Sequence, residues 1–184
     1  MSTDTVESRM FTIFQLVNDW LKYAEAKNLA VLTLSAAACS AVIAFLASSQ
    51  IASDLKKILF VSVCLFTLSC ITSLLSFTPR TSRKNLQGLF PDWGEPSDND
   101  NLYFYRDVGK YRSEVDLARK YRTMFEPSSG ADAVLPPAYT QLASQMIVNS
   151  RIVVYKLRLF LIAMLLAILA VTIIFGTLIY KGMS

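Results

Sequence analysis

The sequence predicts an all-α integral membrane protein, and three observations carry that prediction. No Lys, Arg, Asp or Glu interrupts residues 28–53, 58–79 or 159–180. A helix crossing a hydrocarbon core of about 30 Å needs roughly 20 such residues, so each run is long enough to span. The 184-residue chain is 53% hydrophobic and only 17% charged, too apolar for an ordinary soluble domain of its size. The segments outside the runs follow three- and four-residue steps, the helical period. The expected architecture is three transmembrane helices, an N-terminal amphipathic helix, and a small helical cytoplasmic domain continuous with the third span.

In chain order, residues 7–27 form the amphipathic helix. Met10, Phe11, Phe14, Val17, Trp20 and Leu21 recur at helical spacing opposite Gln15, Asp19 and Lys22. Such a helix docks on the cytoplasmic domain or lies in the headgroups with Trp20 as an interfacial anchor; the sharper alternative is direct ligand contact. Spans follow at 28–50 and 58–78. The first is rich in Ala and Ser, suited to facing other helices. A cleavable signal peptide is not expected, because the first apolar run begins only after the amphipathic segment. Residues 79–158 form the cytoplasmic domain, and 159–180 the third span. Within that domain LFPDWGEPSDNDN (89–101) reads as a loop, and 101–125 as a helix offering Tyr103, Val108, Tyr111, Val115 and Phe125 to one face, with Asp98 or Asp100 as its cap. PSSGADAVLPP (127–137) is a second loop, after which 138–180 reads as one helix, able to carry a signal from soluble domain to membrane.

Orientation follows the Lys and Arg near the span ends. Arg80, Arg83 and Lys84 follow the second span, and Arg151, Lys156 and Arg158 precede the third. The first two spans are joined by a short segment with Asp54, Lys56 and Lys57, and the tail carries only Lys181. The segment 80–158 is therefore inside, with the N-terminus inside and the C-terminus outside.

Catalytic sets are missing. The chain has no histidine, no Gly-rich phosphate loop, and no CxxC or HExxH. Cys39, Cys64 and Cys70 sit in apolar runs without metal-ligand spacing, so no metal or cofactor is expected. Carboxylates pair only as Asp98/Asp100 in a loop and Glu114/Asp116 on a helix, where residues two apart do not face each other. An enzyme is not indicated.

Two other features carry more. Tyr103, Tyr105, Arg106, Lys110, Arg112, Arg119, Lys120 and Arg122, with Arg151, Tyr155, Lys156 and Arg158, mix cations with rings. Cations pair with phosphate and rings stack on bases, so a small nucleotide fits, with Tyr103, Arg106, Asn149 and Arg151 as candidate ligand-binding residues. The plainer alternative is that these cations set topology, touch anionic headgroups or form a solvated helix face. In the second span Ser62, Ser69, Ser73 and Ser76 share a narrow stripe, and in the first Ser40, Ala44 and Ser48 are four apart. Small and hydroxylated residues let helices approach closely and bond across the contact. Beyond packing, the stripe suits a polar seam that meets water when subunits rearrange. No ring of charge or selectivity loop is visible, which argues against a constitutive pore.

Three stretches, WLKYAEAKN (20–28), NLYFYRDV (101–108) and LASQMIVNSRIVVYKLRLF (142–160), taken in order, resemble the transmembrane effectors of Pycsar anti-phage systems. The resemblance covers nearly the whole chain. It implies a multi-pass protein of the bacterial inner membrane, N-terminus cytoplasmic and C-terminus periplasmic, that senses cyclic CMP or cyclic UMP made by a partner cyclase. Its output would be impairment of the inner membrane, with growth arrest or abortive infection. Expected partners are the membrane, the cyclic pyrimidine nucleotide and further copies of the chain in a homo-oligomer, with no nucleic acid. Nothing here resembles a separate cyclic-nucleotide-binding β-roll, so the site would be built from the cytoplasmic helices, between subunits. The competing function is a membrane anchor or scaffold that recruits a soluble partner without ligand.

The basic flanks generate a topology prediction. Reporter fusions at the N-terminus and after Lys84 will read cytoplasmic, and a fusion after Ser184 periplasmic. An N-terminal fusion that reads periplasmic overturns the arrangement.

Overall fold

The structure is a computed structural model that describes residues 4–47, 53–78, 93–127 and 134–182, without the side chains of 4, 5 and 180–182. Arg80, Arg83, Lys84 and the loop residues 89–92 and 128–133 lie outside the described residues, as does Ser48. The described residues are all-helical, with no strand: α1 (Asp4–Leu46), α2 (Ser53–Leu75), α3 (Tyr105–Val108), α4 (Glu114–Phe125) and α5 (Pro137–Gly182). Three of them, α1, α2 and α5, are long and apolar enough to cross a membrane. The amphipathic segment and the first apolar run as far as Leu46 form one unbroken helix of 43 residues. The helix expected over 138–180 is α5, 46 residues long, or roughly 70 Å at 1.5 Å per residue. The chain divides into two units: Met1–Tyr23 with Pro79–Tyr155, and Ala24–Thr78 with Lys156–Ser184.

The first unit packs the start of α1 and of α5 with α3 and α4. Val6, Met10, Ile13 and Val17 on α1, and Tyr139, Ala143, Met146 and Ser150 on α5, are buried at alternating four- and three-residue steps. Leu102, Val108, Leu117, Ala118 and Tyr121 fill the space between. The expected face is buried at Met10 and Val17, with Phe14 packed against the core, and differs at one position. Ile13 is in the core, while Phe11 is 49% exposed, because residues two apart on a helix point about 200° from each other.

The single helix expected over 101–125 is instead two. A Cβ at Gly109 would meet Trp93 Cζ3 at 2.8 Å, so the chain passes the indole where no side chain fits. The next helix starts afresh at Ser113, whose backbone is extended (φ −109, ψ 129) and whose Oγ accepts from Asp116 N. Ser113, not Asp98 or Asp100, is therefore the N-cap. Asp100 serves the loop, accepting from Ser97 N at 2.9 Å. The buried Tyr121 hydroxyl donates to Leu102 O at 2.7 Å, tying α4 to the segment before α3.

The second unit is a three-helix arrangement with a seven-residue repeat. On α2 the buried residues are Leu59, Ser62, Phe66, Ser69 and Ser73, and Ser76, one residue past its end, continues the steps of three and four. Facing them are Ala24, Asn28 and Ser35 of α1, and Lys156, Ala163, Ala167 and Ala170 of α5. This is the 3.5-residue period that keeps a seam in register, filled with small residues as close helix approach requires. On α1 the contact face is not Ser40–Ala44: both are exposed, and Ser40 Oγ donates to its own helix at Ala36 O. Ser35, five residues earlier, does the cross-helix bonding instead.

Gly109→Ala will push the indole of Trp93 out of its seat. We expect a cost of about 1–3 kcal/mol, the range for overpacking a filled site, read as a lower thermal midpoint of the detergent-solubilised protein by near-UV circular dichroism.

Candidate functional site

In the first unit the segment 101–111 is pinned from several sides. Asn101 Oδ1 accepts from Tyr103 N at 3.0 Å, and Asp107 Oδ2 from Asn101 N at 3.1 Å. Lys110 bridges Asp100 and Asp107. Burial pushes the Asp100 carboxyl upward, but Lys110 and the Ser97 N–H outweigh it and hold the group below its usual range. Those same carboxylates hold the Lys110 ammonium above its own. Desolvation raises the Tyr111 and Tyr105 phenols.

Arg151 is 3% exposed. Its Nε donates to Gly109 O at 3.0 Å and an Nη to Tyr111 O at 2.9 Å, while the guanidinium lies over the Trp93 ring at 5.5 Å. It clamps the turn between α3 and α4, satisfying carbonyls that no helix pairs. Asn149 faces elsewhere: its Nδ2 donates to Asn18 Oδ1 of α1 at 2.8 Å. Residues two apart on a helix point about 200° from each other, so Asn149 and Arg151 meet different elements. Tyr103 and Arg106 are exposed. Beside them, Trp20 packs on Tyr105 (5.2 Å) and Phe104 (6.4 Å).

The other cations divide. Lys120 binds Asp98, which holds that carboxyl low, and Arg122 reaches Glu126 and Val134 O. Arg112 and Arg119 are exposed, each lining an open cleft floored by Tyr111. Among the described residues there is no group of His, Cys, Asp or Glu that could hold a metal.

In the second unit all four stripe serines are buried. Ser69 Oγ donates to Ala163 O at 2.8 Å and lies 2.9 Å from Ser35 Oγ. With its one proton given to Ala163, Ser69 accepts from Ser35, and one hydroxyl thereby joins three helices. Ser62 Oγ approaches Ala170 O at 3.5 Å. Ser76 donates to Ser73 O at 2.7 Å, and the Ser73 hydroxyl is buried without a hydrogen-bond partner. At the other end of the unit lies an apolar cavity of about 240 Å³, lined by residues such as Phe45, Leu55, Ile58 and Ile174.

Sequence reasoning missed Glu25, Asn28 and Ser35 as polar members of this unit. The signal was present, since Asn28 and Ser35 are seven apart, as are Ser62, Ser69 and Ser76. It also missed that Gly109 and Trp93 make the seat against which Arg151 folds.

A family model of the Pycsar effector protein domain, PycTM, matches residues 9–181. No curated protein and no solved structure matches the chain. The family match takes in all three apolar helices and the described residues between them, and this is a family of membrane effectors rather than of catalysts. The chain belongs to the PycTM family of Pycsar effectors.

Proposed function

We propose that the chain is an anti-phage defence effector of the bacterial inner membrane that senses cyclic CMP or cyclic UMP made by a partner cyclase. The nucleotide engages the first unit on the cytoplasmic side, and the second impairs the membrane, arresting growth. The observation that carries this reading is the family match over residues 9–181. What supports its mechanism is that α1 and α5 each run without a break through residues of both units.

In this reading Tyr103 and Arg106 contact the ligand directly, ring on base and guanidinium on phosphate. Arg151 acts from behind by fixing the turn at Gly109 and Tyr111, and Asn149 by fixing α5 against α1. A ligand shifts an equilibrium only by its preference for one state. The resting state is the closed bundle with its hydroxyls buried. The bound state is a homo-oligomer in which the serine stripe meets water.

Two experiments test this. Purified protein titrated with cyclic CMP and cyclic UMP will bind one of them. Arg106→Ala will weaken binding roughly ten- to hundredfold, the equivalent of about 1.5–3 kcal/mol for a lost charge-assisted contact. Arg151→Ala will weaken it at least tenfold. If both variants bind like wild type, the site lies elsewhere; if no cyclic nucleotide binds, the anchor or scaffold function replaces this one.

In cells, supplying the nucleotide will collapse the membrane potential, read by a potential-sensitive dye. A triple Ser62→Ala, Ser69→Ala, Ser73→Ala variant keeps the close helix approach but removes the hydroxyls. It will bind nucleotide and leave the potential intact. Collapse at the wild-type rate would separate the stripe from the output.

A further inference from the structure

The second unit contains a part-buried ion pair at one end of its hydroxyl column. Lys156 Nζ meets Glu25 Oε1 at 2.6 Å, with the Lys156 side chain 10% exposed and the Glu25 side chain 44% exposed. The same ammonium lies 5.8 Å from the centroid of the Phe77 ring. Asn28, fully buried, donates from Nδ2 to the backbone carbonyls of Ala24 and Lys156, both at 2.9 Å. Its Oδ1 has no hydrogen-bond partner.

These residues continue the repeat. Asn28, Ser35 and Val42 are seven apart on α1; Ser69 and Ser62 on α2, with Ser76 just past its end; Lys156, Ala163 and Ala170 on α5. The Ser35–Ser69–Ala163 layer is joined by hydrogen bonds, and Ser62 meets Ala170. The layer one heptad away holds Asn28 and Lys156, with Ser76 at the matching position of the antiparallel α2. Each layer is about 10 Å from the next. The column thus runs from an ionic end at Glu25–Lys156, through serine hydroxyls, to the apolar end at Phe45, Leu55 and Ile58.

We infer that the Glu25–Lys156 pair, seated on Asn28, is the gate that keeps this hydroxyl column closed in the absence of ligand. The inference rests on the membrane-impairing function proposed above and deepens it by naming what holds the resting state. Buried charge next to an apolar bundle is costly unless paired. The pair bridges α1 and α5, the two helices that also contribute to the first unit. Separating α1 from α5 at this layer leaves the buried Lys156 ammonium without its partner, and it then recruits water toward the unpartnered oxygens of Asn28 and Ser73. A layer built this way has two discrete arrangements: the ammonium paired and shielded, or parted and hydrated.

The test needs no nucleotide. Full-length wild type, Glu25→Gln, Lys156→Met and the exchange Glu25→Lys with Lys156→Glu are expressed without a cyclase, with membrane-inserted protein quantified. We expect both single variants to depolarise cells at least tenfold faster than wild type, and the exchange, which restores a pair, to return toward the wild-type rate. Single variants that stay at the wild-type rate while inserted normally overturn the gate, as does an exchange variant that leaks like the single ones. Should the single variants fail to accumulate, Glu25→Asp keeps the charge but shortens its reach by one methylene. It must then leak faster than wild type, and a wild-type rate overturns the inference. Because every reading is made without nucleotide, a failure here is distinguishable from a failure of nucleotide sensing, which the binding titration reads.

Discussion

The Ser69 hydroxyl meets the carbonyl of Ala163 and the hydroxyl of Ser35 within one contact. For that to happen three helices must approach closely enough for a two-atom side chain to span the gap. In hydrocarbon no difference in apolarity pulls helices together, so close packing and hydrogen bonds must do it. Most of what surrounds Ser69 follows from this demand. Ala163, Ala167 and Ala170 face it on α5, serines recur on its own helix, and the large apolar residues Leu68, Leu74, Leu165 and Phe175 point outward. A lipid-facing surface of bulky side chains around a seam of small ones is the arrangement a bilayer rewards.

The first unit solves a different problem. Its helices are short or amphipathic, and its core uses aromatic volume: Tyr111, Tyr121 and Tyr139 are all buried. Burial leaves the Tyr121 phenol with a strongly raised pKa, and its hydroxyl is satisfied by the Leu102 carbonyl. The interruption at Gly109 leaves further carbonyls without helical partners, and Arg151 supplies both missing donors from a single planar group. A lysine there would offer a point charge without the fork that reaches two carbonyls at once.

How much of this was legible in the sequence depended on the range of the interactions. Charge-free runs located the three apolar helices, since that signal is local and long. The unbroken α5 was legible because nothing between Pro137 and Gly176 breaks a helix. The serine stripe on α2 was visible as a period. By contrast, Arg151 looked like a ligand or topology residue. Only the fold shows it spent on the carbonyls of Gly109 and Tyr111, some forty residues away, and periodicity carries no information about such a contact. The two-helix break at 109–113 was missed for a related reason. Val108, Tyr111 and Val115 satisfy a helical pattern, while the steric reason for stopping, the Trp93 ring, comes from another part of the chain. Glu25 and Lys156 each look like an ordinary charge at the edge of an apolar run until the fold pairs them.

The seven-residue spacing of Ser62, Ser69 and Ser76 has a consequence for how the bundle finds its alignment. A stripe that repeats every heptad is nearly degenerate: sliding α2 by one repeat would place Ser76 or Ser62 where Ser69 now sits and recover much of the same contact. What lifts the degeneracy are the positions that do not repeat. Phe66, 2% exposed, packs against Ala167 and Ala170, and a slide would replace it there with Leu59 or Ser73. Asn28 and Lys156 have no counterpart in the other layers, and a slid α2 would take Phe77 away from the lysine. As in coiled coils, where one polar residue in a seam fixes which layers meet, these unique residues act as the key to an otherwise uniform rack.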